Sequence, residues 1–346
     1  MGKRLIERLA LLALSLTLSL TQASAAQWAT DKASGCRVVD EEAAPDRTVR
    51  WNGPCAGGVA EGGGVAEFFA GDSVIRRVEA SFSQGVAIGQ IKIIRYKNSA
   101  ISTVTEFARG QGADDLLQKV TFYRDGAVSS IESGHWSGGR LNGSCSVERY
   151  AGGRMEKSYS GTCINGAPDG SAKVRFYAIS PDHDLLFDGP YHNGKLEGQG
   201  ESTELLTAVS AAPVESCLRP GDVTLHYAGG WTANAMNGQG IIESHFCAPA
   251  ADGVIQRIDM KSTGTWLGGV QDGEALAVYV IGGGAPIGIK RLYDHGALVS
   301  ETLADAPSGK DVIESRESLC RRYPWLCAQR TFEAATFANR LSINRD

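Results

Sequence analysis

The chain has 346 residues, of which 42% are apolar and 21% charged, a composition typical of globular rather than disordered proteins. Its formal net charge of −5 excludes an overall basic footprint, so no nucleic-acid partner is expected. Glycine contributes 43 residues, about 12% against roughly 7% in average proteins, yet there are only 11 prolines, so the glycines are not those of a linker.

The first 25 residues predict a signal peptide. A basic start, MGKRLIER, precedes the apolar run LALLALSLTLSL and a small-residue exit, in which Ala23 and Ala25 give the A-x-A cleavage pattern. A transmembrane anchor is the alternative, but the run is shorter than the roughly 20 residues that a bilayer core requires. Cleavage after Ala25 leaves 31 basic and 38 acidic residues, a net charge of −7, which argues against membrane association. We expect an exported protein, periplasmic or extracellular.

Eight cysteines follow the predicted cleavage site. An even number of cysteines in an oxidising compartment favours disulfides over metal ligation, and no zinc-type C-x-x-C pair occurs. The spacing favours pairs between neighbours in the chain: Cys36 with Cys55, Cys145 with Cys163, Cys217 with Cys247, and Cys320 with Cys327. Residues 26–50 contain Cys36 and no convincing copy of the repeat that follows, so they are predicted to form a separate N-terminal segment.

A glycine pattern repeats seven times within residues 51–305. Each copy has an aromatic residue or a cysteine as its anchor, and glycine stands seven residues after every anchor. The anchors are Cys55, Phe82, Trp136, Cys163, Tyr191, Trp231 and Trp266, and the glycines are Gly62, Gly89, Gly143, Gly170, Gly198, Gly238 and Gly273. The chance of this agreement is on the order of one in a million, so the repeat is taken as real.

Each recurring position predicts a structural role. The third residue after the anchor is glycine except for Asn234, and asparagine tolerates left-handed backbone better than other residues, so this position predicts a hairpin turn. Small residues seven and nine positions after the anchor, on one face of a strand, predict a groove that the anchor ring fills. Strand-like segments follow these glycines, so a phosphate-binding loop ahead of a helix is not indicated.

The frame of an anchor followed by glycine at the third, seventh and ninth positions, and preceded by Gly-x, resembles the MORN (membrane occupation and recognition nexus) repeat. The resemblance covers about residues 51–300, and Tyr191 to Gly200 is its best copy. It implies an all-β fold, an elongated antiparallel meander of repeated β-hairpins, with no enzymatic site or cofactor of its own. It also implies a scaffold or adaptor with a protein or cell-envelope partner. A homodimer through open sheet edges is a further expectation.

Residues 306–346 predict a helical C-terminal segment. Ser308 and Asp311 offer a capping box ahead of VIESRESLCRRY, and glycine is absent after Gly309. Pro324 predicts a break between two short helices. We interpret the segment as a cap over the last hairpin, which repeat arrays usually need, and a partner-binding element is the alternative.

The candidate binding residues are four anchors with large rings, Trp136, Tyr191, Trp231 and Trp266, unless these rings only fill the repeat core. No two histidines have metal-ligand spacing and no G-x-S-x-G motif occurs, so no metal, cofactor or catalytic residue is predicted. The stretch SPDHD, residues 180–184, predicts a polar hairpin tip with too few ligands for calcium.

The sequence therefore predicts a non-catalytic exported scaffold or adaptor that binds a protein or envelope component along one face of its β-array. The alternative is an exported hydrolase or carbohydrate-active protein that uses acidic residues on the sheet. A pocket with two carboxyl groups about 5 to 10 Å apart would favour the alternative.

Overall fold

The computed structural model describes residues 27–42, 47–109, 116–180, 182–208, 216–304 and 316–328. The described residues are mostly β-strand with two short helices at the C-terminal end, and successive strands form an antiparallel meander, which confirms the predicted fold class. The chain divides into two compact units, residues 1–101 with 108–110 and residues 102–107 with 111–346. The predicted signal peptide, residues 1–25, lies outside the described residues, and the domain limits at residues 51 and 305 stay predictions.

The first unit contains two sheets. Its strands are β1 (Gln27–Thr30), β2 (Arg37–Asp40), β3 (Arg47–Asn52), β4 (Cys55–Ala56), β5 (Val59–Ala60), β6 (Gly62–Ala70), β7 (Ser73–Ser83) and β8 (Val86–Lys97). One sheet has the order β1-β2-β5-β4, and in the other β3, β6, β7 and β8 pair in succession. A buried ion pair of 2.5 Å between Asp40 and Arg76 joins β2 to β7. The ring of Trp51 lies on the bare main chain of Gly53 and Gly64.

The second unit is a longer meander in which each strand pairs with its neighbours in chain order, except that β15 pairs with both β16 and β17. Its strands are β9 (Ala100–Arg109, of which 102–107 belong here), β10 (Leu116–Arg124), β11 (Ala127–Ser137), β12 (Arg140–Ala151), β13 (Arg154–Ile164), β14 (Ala167–Ser180), β15 (His183–His192), β16 (Lys195–Leu196), β17 (Gly198–Leu206), β18 (Val223–Thr232), β19 (Ala235–Pro249), β20 (Ile255–Leu267), β21 (Val270–Ile281), β22 (Ile287–Asp294) and β23 (Ala297–Leu303).

The hairpin-turn position of the repeat is confirmed. The third residue after the anchor has a positive φ in all seven copies, between 69° and 92°, and the residue before it also has a positive φ. Two successive residues of this kind form the type I′ turn, whose twist matches that of the flanking strands. Asn234 adopts a φ of 69°, so it replaces glycine at a position that requires left-handed backbone.

The glycine seven residues after the anchor has a different role from the predicted one. Its φ is positive in all seven copies, from 69° to 96°. A Cβ added to Gly143, Gly238 or Gly273 would meet no atom within 4 Å, so the prediction that this position makes room for a ring was wrong. Glycine is required here for its backbone conformation. The strand register places it opposite the next anchor, as in the pair of Gly198 with Trp231.

Three of the predicted disulfides are present, Cys36–Cys55, Cys145–Cys163 and Cys217–Cys247. Cys145 lies opposite Gly161 in the register of β12 and β13, so its bond to Cys163 crosses the two strands diagonally. Cys320 is also disulfide-bonded, and the side chain of its predicted partner, Cys327, lies outside the described part of the chain. Disulfides of this number indicate a non-reducing environment.

Two short helices, α1 (Arg316–Arg322) and α2 (Pro324–Ala328), follow the strands and are separated ahead of Pro324 as predicted. Leu319 and Leu326 are buried in a cluster with residues of β20 and β21, and Trp325 contacts Phe246 edge to face at 5.6 Å. The helices therefore cover apolar surface of the sheet, as a cap would. The predicted capping box lies outside the described residues. Within the described ranges, no helix has the length and apolar character needed to cross a membrane.

Candidate functional site

A row of small residues crosses the strands of the second unit. It consists of the residues two before and nine after the anchors, which the register places opposite one another, as in Gly229 with Gly240. A Cβ added to Gly189 would lie 3.0 Å from the Cα of Gly200, which continues the row between β15 and β17. The row contains Gly134, Cys145, Gly161, Ala172, Gly189, Gly200, Gly229, Gly240, Gly264 and Ala275.

Large rings pack on the core side of this row. Tyr227 lies over Gly229 and Gly240, since a Cβ added to Gly240 would be 2.6 Å from the Tyr227 ring. Its hydroxyl donates a 3.0 Å hydrogen bond to the carbonyl oxygen of Gly230. Trp231 lies beside Gly200, 3.3 Å from the position of an added Cβ. An anchor ring therefore does pack on bare main chain. Tyr227, four residues before the anchor, packs on the same row.

The structure places the predicted binding residues in or against the core. Tyr191, Trp231 and Trp266 are 7%, 3% and 2% exposed, and Trp136 is partly buried against the same cluster. Tyr227 contacts Trp231 and Trp266 edge to face, with ring centroids 5.2 and 5.3 Å apart. Desolvation raises the pKa of Tyr227 to about 12. The three buried anchor rings contact other side chains rather than solvent, which favours the alternative that they fill the repeat core.

A groove of about 780 Å³ lies on the opposite, outward face of the sheet, over β18. Its floor is formed by Ala228 and the main chain of Gly229 and Gly240. The walls are polar side chains on the strands to either side. One wall carries Asp188, Gln199 and Glu201, and the other carries Gln239, Ile241 and Thr263. Because side chains alternate along a strand, the neighbours of the core-facing small residues point outward into this groove.

The two carboxylates of the groove lie on the same wall. Asp188 and Glu201 are opposite each other in the register of β15 and β17, which places their Cβ atoms about 5 Å apart. Lys173 lies 3.0 Å from Asp188 and forms an ion pair with it, and the His226 ring nitrogen Nε2 lies 3.5 Å from Glu201. Glycoside hydrolysis requires carboxyl groups that flank the scissile bond. Two carboxylates on one wall can hold polar groups of a ligand but do not flank it.

His226 lies at the edge of the groove between two carboxylates. Its Nδ1 is 4.0 Å from Glu243, and Glu243 accepts a 2.8 Å hydrogen bond from Lys261 on the next strand. This hydrogen bond holds the pKa of Glu243 below its usual value. The edge of the groove is therefore a chain of alternating charges, Glu201, His226, Glu243 and Lys261, when the imidazole is protonated.

A second hollow, of about 300 Å³, lies on the same face over β12 to β15 and is lined by Ser146, Glu148, Ser158, Ser160, Lys173 and Arg175, among others. It lies in the same cross-strand row as the groove, because Ser160 is opposite Lys173 and Lys173 is opposite Asp188. The ion pair of Lys173 with Asp188 therefore stands between the two hollows. The guanidinium of Arg175 is itself paired, since it lies 2.6 Å from the carboxylate of Asp184.

Within the described ranges, one group of three side chains has metal-ligand geometry: Asp272, Asp294 and His295. Asp272 accepts a 2.9 Å hydrogen bond from the backbone N–H of His295, which supports the turn between β22 and β23. A hydrogen bond to Asp294 raises the pKa of the exposed His295. We interpret this group as a turn support.

The stretch SPDHD differs from the predicted polar tip. His183 and Asp184 are 4% and 5% exposed, and both belong to β15 rather than to the turn. Asp184 accepts hydrogen bonds from Arg175 and from the backbone N–H of Ala178, and His183 lies 3.7 Å from Glu204. The hydrogen bonds of Asp184 to Arg175 and to Ala178 therefore stabilise the end of the hairpin of β14 and β15.

Sequence reasoning missed the groove residues, although a signal for them was present. Gln199 and Gln239 stand eight residues after their anchors, in two identical GQG segments. The same arithmetic places Glu201 and Ile241 ten residues after the anchors. If the ninth position faces the core, the eighth and tenth face outward by strand alternation. The outward positions differ in residue type from copy to copy, so they form no column as uniform as those of the anchors and glycines.

No family model matches the chain, and no curated protein matches it. The resemblance to MORN repeats stays a prediction that rests on the glycine frame alone.

Proposed function

We propose that this is a non-catalytic exported protein that binds an extended polar ligand, a protein or an envelope component, in the groove over β18. The observation that carries the proposal is how the groove is built. Its floor is Ala228 with the bare main chain of Gly229 and Gly240, against which Tyr227 packs from the core side, and its walls present carboxylate, amide and hydroxyl groups. A rigid floor with adaptable polar walls reduces the ordering cost of binding.

The same geometry disfavours hydrolysis as the second candidate. Asp188 and Glu201 have side chains that are 47% and 59% exposed, so neither is desolvated in the way that usually prepares a catalytic acid or base. Both also stand on one wall of the groove. Their Cβ atoms are about 5 Å apart on neighbouring strands of one sheet face, which is not the placement of two carboxyl groups on opposite sides of a bond.

Export is part of the proposal. It is supported by the predicted signal peptide and by the disulfides, which persist in oxidising compartments. In such a compartment the accessible polymers and proteins are those of the cell envelope and its surroundings, and these define the set of ligands to test.

The proposal is tested by blocking the groove. Ala228→Phe places a ring on the groove floor, and Ala127→Phe adds the same ring at an exposed alanine at the start of β11 as the matched control. The oxidised protein and both variants are incubated with envelope fractions, and the bound amount is measured. We expect Ala228→Phe to lose about 90% of the binding and Ala127→Phe to retain it. Equal binding by both variants would contradict the proposal, and ligand cleavage that Glu201→Gln abolishes would favour the hydrolase.

A further inference from the structure

We infer that the ligand is an uncharged oligosaccharide chain that runs across the strands and occupies both the groove over β18 and the hollow over β12 to β15. This inference rests on the proposed binding function and names the class of ligand. Three observations support it: the charges of the two hollows, the length of the path that joins them, and the hydrogen bonding of the backbone beneath them.

The charged side chains that line the two hollows all have partners within the protein. Lys173 pairs with Asp188 and Arg175 with Asp184, Glu201 lies 3.5 Å from the imidazole of His226, and Glu148 accepts a 2.6 Å hydrogen bond from the hydroxyl of Tyr150. An anionic ligand would have to compete with Asp188 or Asp184 for these cations, and a cationic ligand would have to compete with Lys173 for Asp188. A chain of sugar hydroxyl groups would not, because paired carboxylates keep lone pairs that accept further hydrogen bonds.

The remaining groups of the hollows are suited to hydroxyl groups. Gln199 offers one amide acceptor and two donors, and Gln239 keeps its acceptor and one donor beside its 2.7 Å hydrogen bond to Thr265. The smaller hollow adds the hydroxyl groups of Ser146 and Ser160. Ile241 supplies an apolar surface in the groove for a carbon-bound face of a ring. Side chains of both polarities therefore line one continuous face.

The path is longer than a small molecule. From Ser146 on β12 to Thr263 on β20 the row crosses eight strands, which corresponds to about 34 Å at a strand spacing of about 4.8 Å. A monosaccharide or disaccharide would fill one hollow only. The arrangement favours a chain whose successive units lie in the small hollow, over the ion pair of Lys173 with Asp188, and in the groove.

The backbone beneath the path argues against an extended peptide. Peptides commonly bind sheets by adding a strand to an open edge. Strands β12 to β15 and β17 to β19 each pair with a neighbour on both sides. Their N–H and C=O groups are therefore engaged in the ladders, and recognition on this face depends on side chains.

The test uses isothermal titration of the oxidised protein with neutral oligosaccharides of varied linkage, each as a series of two to eight units, together with acidic oligosaccharides and peptides of matched length. Ser160→Phe fills the small hollow, Ala228→Phe fills the groove, and Ala127→Phe is the control. We expect a neutral series to bind with an affinity that rises with length and changes less than about twofold with added salt. Ser160→Phe should weaken the longest chain about tenfold and leave the shortest unchanged, whereas Ala228→Phe should weaken both.

The failures can be told apart. Groove-dependent binding of peptides or acidic chains in place of neutral ones would overturn the assignment of ligand class and leave the proposed binding function in place. Neutral binding that Ser160→Phe does not affect at any length would overturn the two-hollow path. An absence of groove-dependent binding for every probe and for the envelope fraction would overturn the binding function itself.

Discussion

The replacement Gly229→Ala tests the packing of rings on bare main chain. An added Cβ would lie 2.7 Å from the Cα of Gly240 on the neighbouring strand and would also collide with the hydroxyl oxygen of Tyr227. The main chain cannot move aside freely, so overpacking should cost about 1 to 3 kcal/mol. Displacement of Tyr227 would also break its hydrogen bond to Gly230, at about 1 kcal/mol. We expect a total loss of about 2 to 4 kcal/mol.

The loss is measured by urea unfolding followed by tryptophan fluorescence, since Trp231 lies beside the altered site. The control is Gly63→Ala, because a Cβ at Gly63 meets no atom within 4 Å and its φ is not positive. We expect the control to unfold within about 0.5 kcal/mol of the unaltered protein. If Gly229→Ala were as stable as the control, Tyr227 would not be packed against this row and the explanation of the glycine columns would fail.

Three further predictions concern other parts of the frame. Gly238 has a φ of 83° and open space around it, so Gly238→Ala should lower the stability by about 1 to 2 kcal/mol and Gly238→Asn by less, as thermal unfolding would show. Replacing both Cys145 and Cys163 by serine should lower the free energy of unfolding by about 3 kcal/mol. Mild reduction of the unaltered protein should lower it by no more than the same amount if this bond alone is broken. The hydrogen bond from Lys261 depresses the pKa of Glu243, so its stabilising effect is present above the unfolded value of 4.5 and is lost as the pH falls through the lower folded value. Glu243→Gln should therefore reduce stability at pH 7 and make little difference at pH 3, whereas an equal effect at both values would contradict the assignment.

The turns and the strand class could be predicted because they depend on local chemistry. Asn234 in a glycine column signals left-handed backbone whatever surrounds it, and the structure shows that conformation. The role of Gly198 and its equivalents could not be assigned in the same way. Glycine serves both where space is short and where φ is positive, and only coordinates distinguish the two cases.

Tyr227 and the groove were harder to predict because they depend on strand register. Four residues before the anchor, only four of the seven copies have an aromatic ring, so no column marks this position. The approach of Asp188 to Glu201 follows from the pairing of β15 with β17, which continues the hairpin after the short strand β16, and the anchor spacing does not specify this register. Local patterns thus define each hairpin, while the surface that hairpins build together depends on how they align.

The row from Gly134 to Ala275 also has an evolutionary implication. Substitution on the core side of each strand is restricted by the rings that lie there, but positions such as Gln199 and Thr263, which face away from those rings, carry no such restriction. Changes in recognition can therefore accumulate on one side of the sheet without loss of folding on the other. Duplication of a hairpin would extend the recognition surface by one unit, so that both the length and the chemistry of the bound chain could be altered independently.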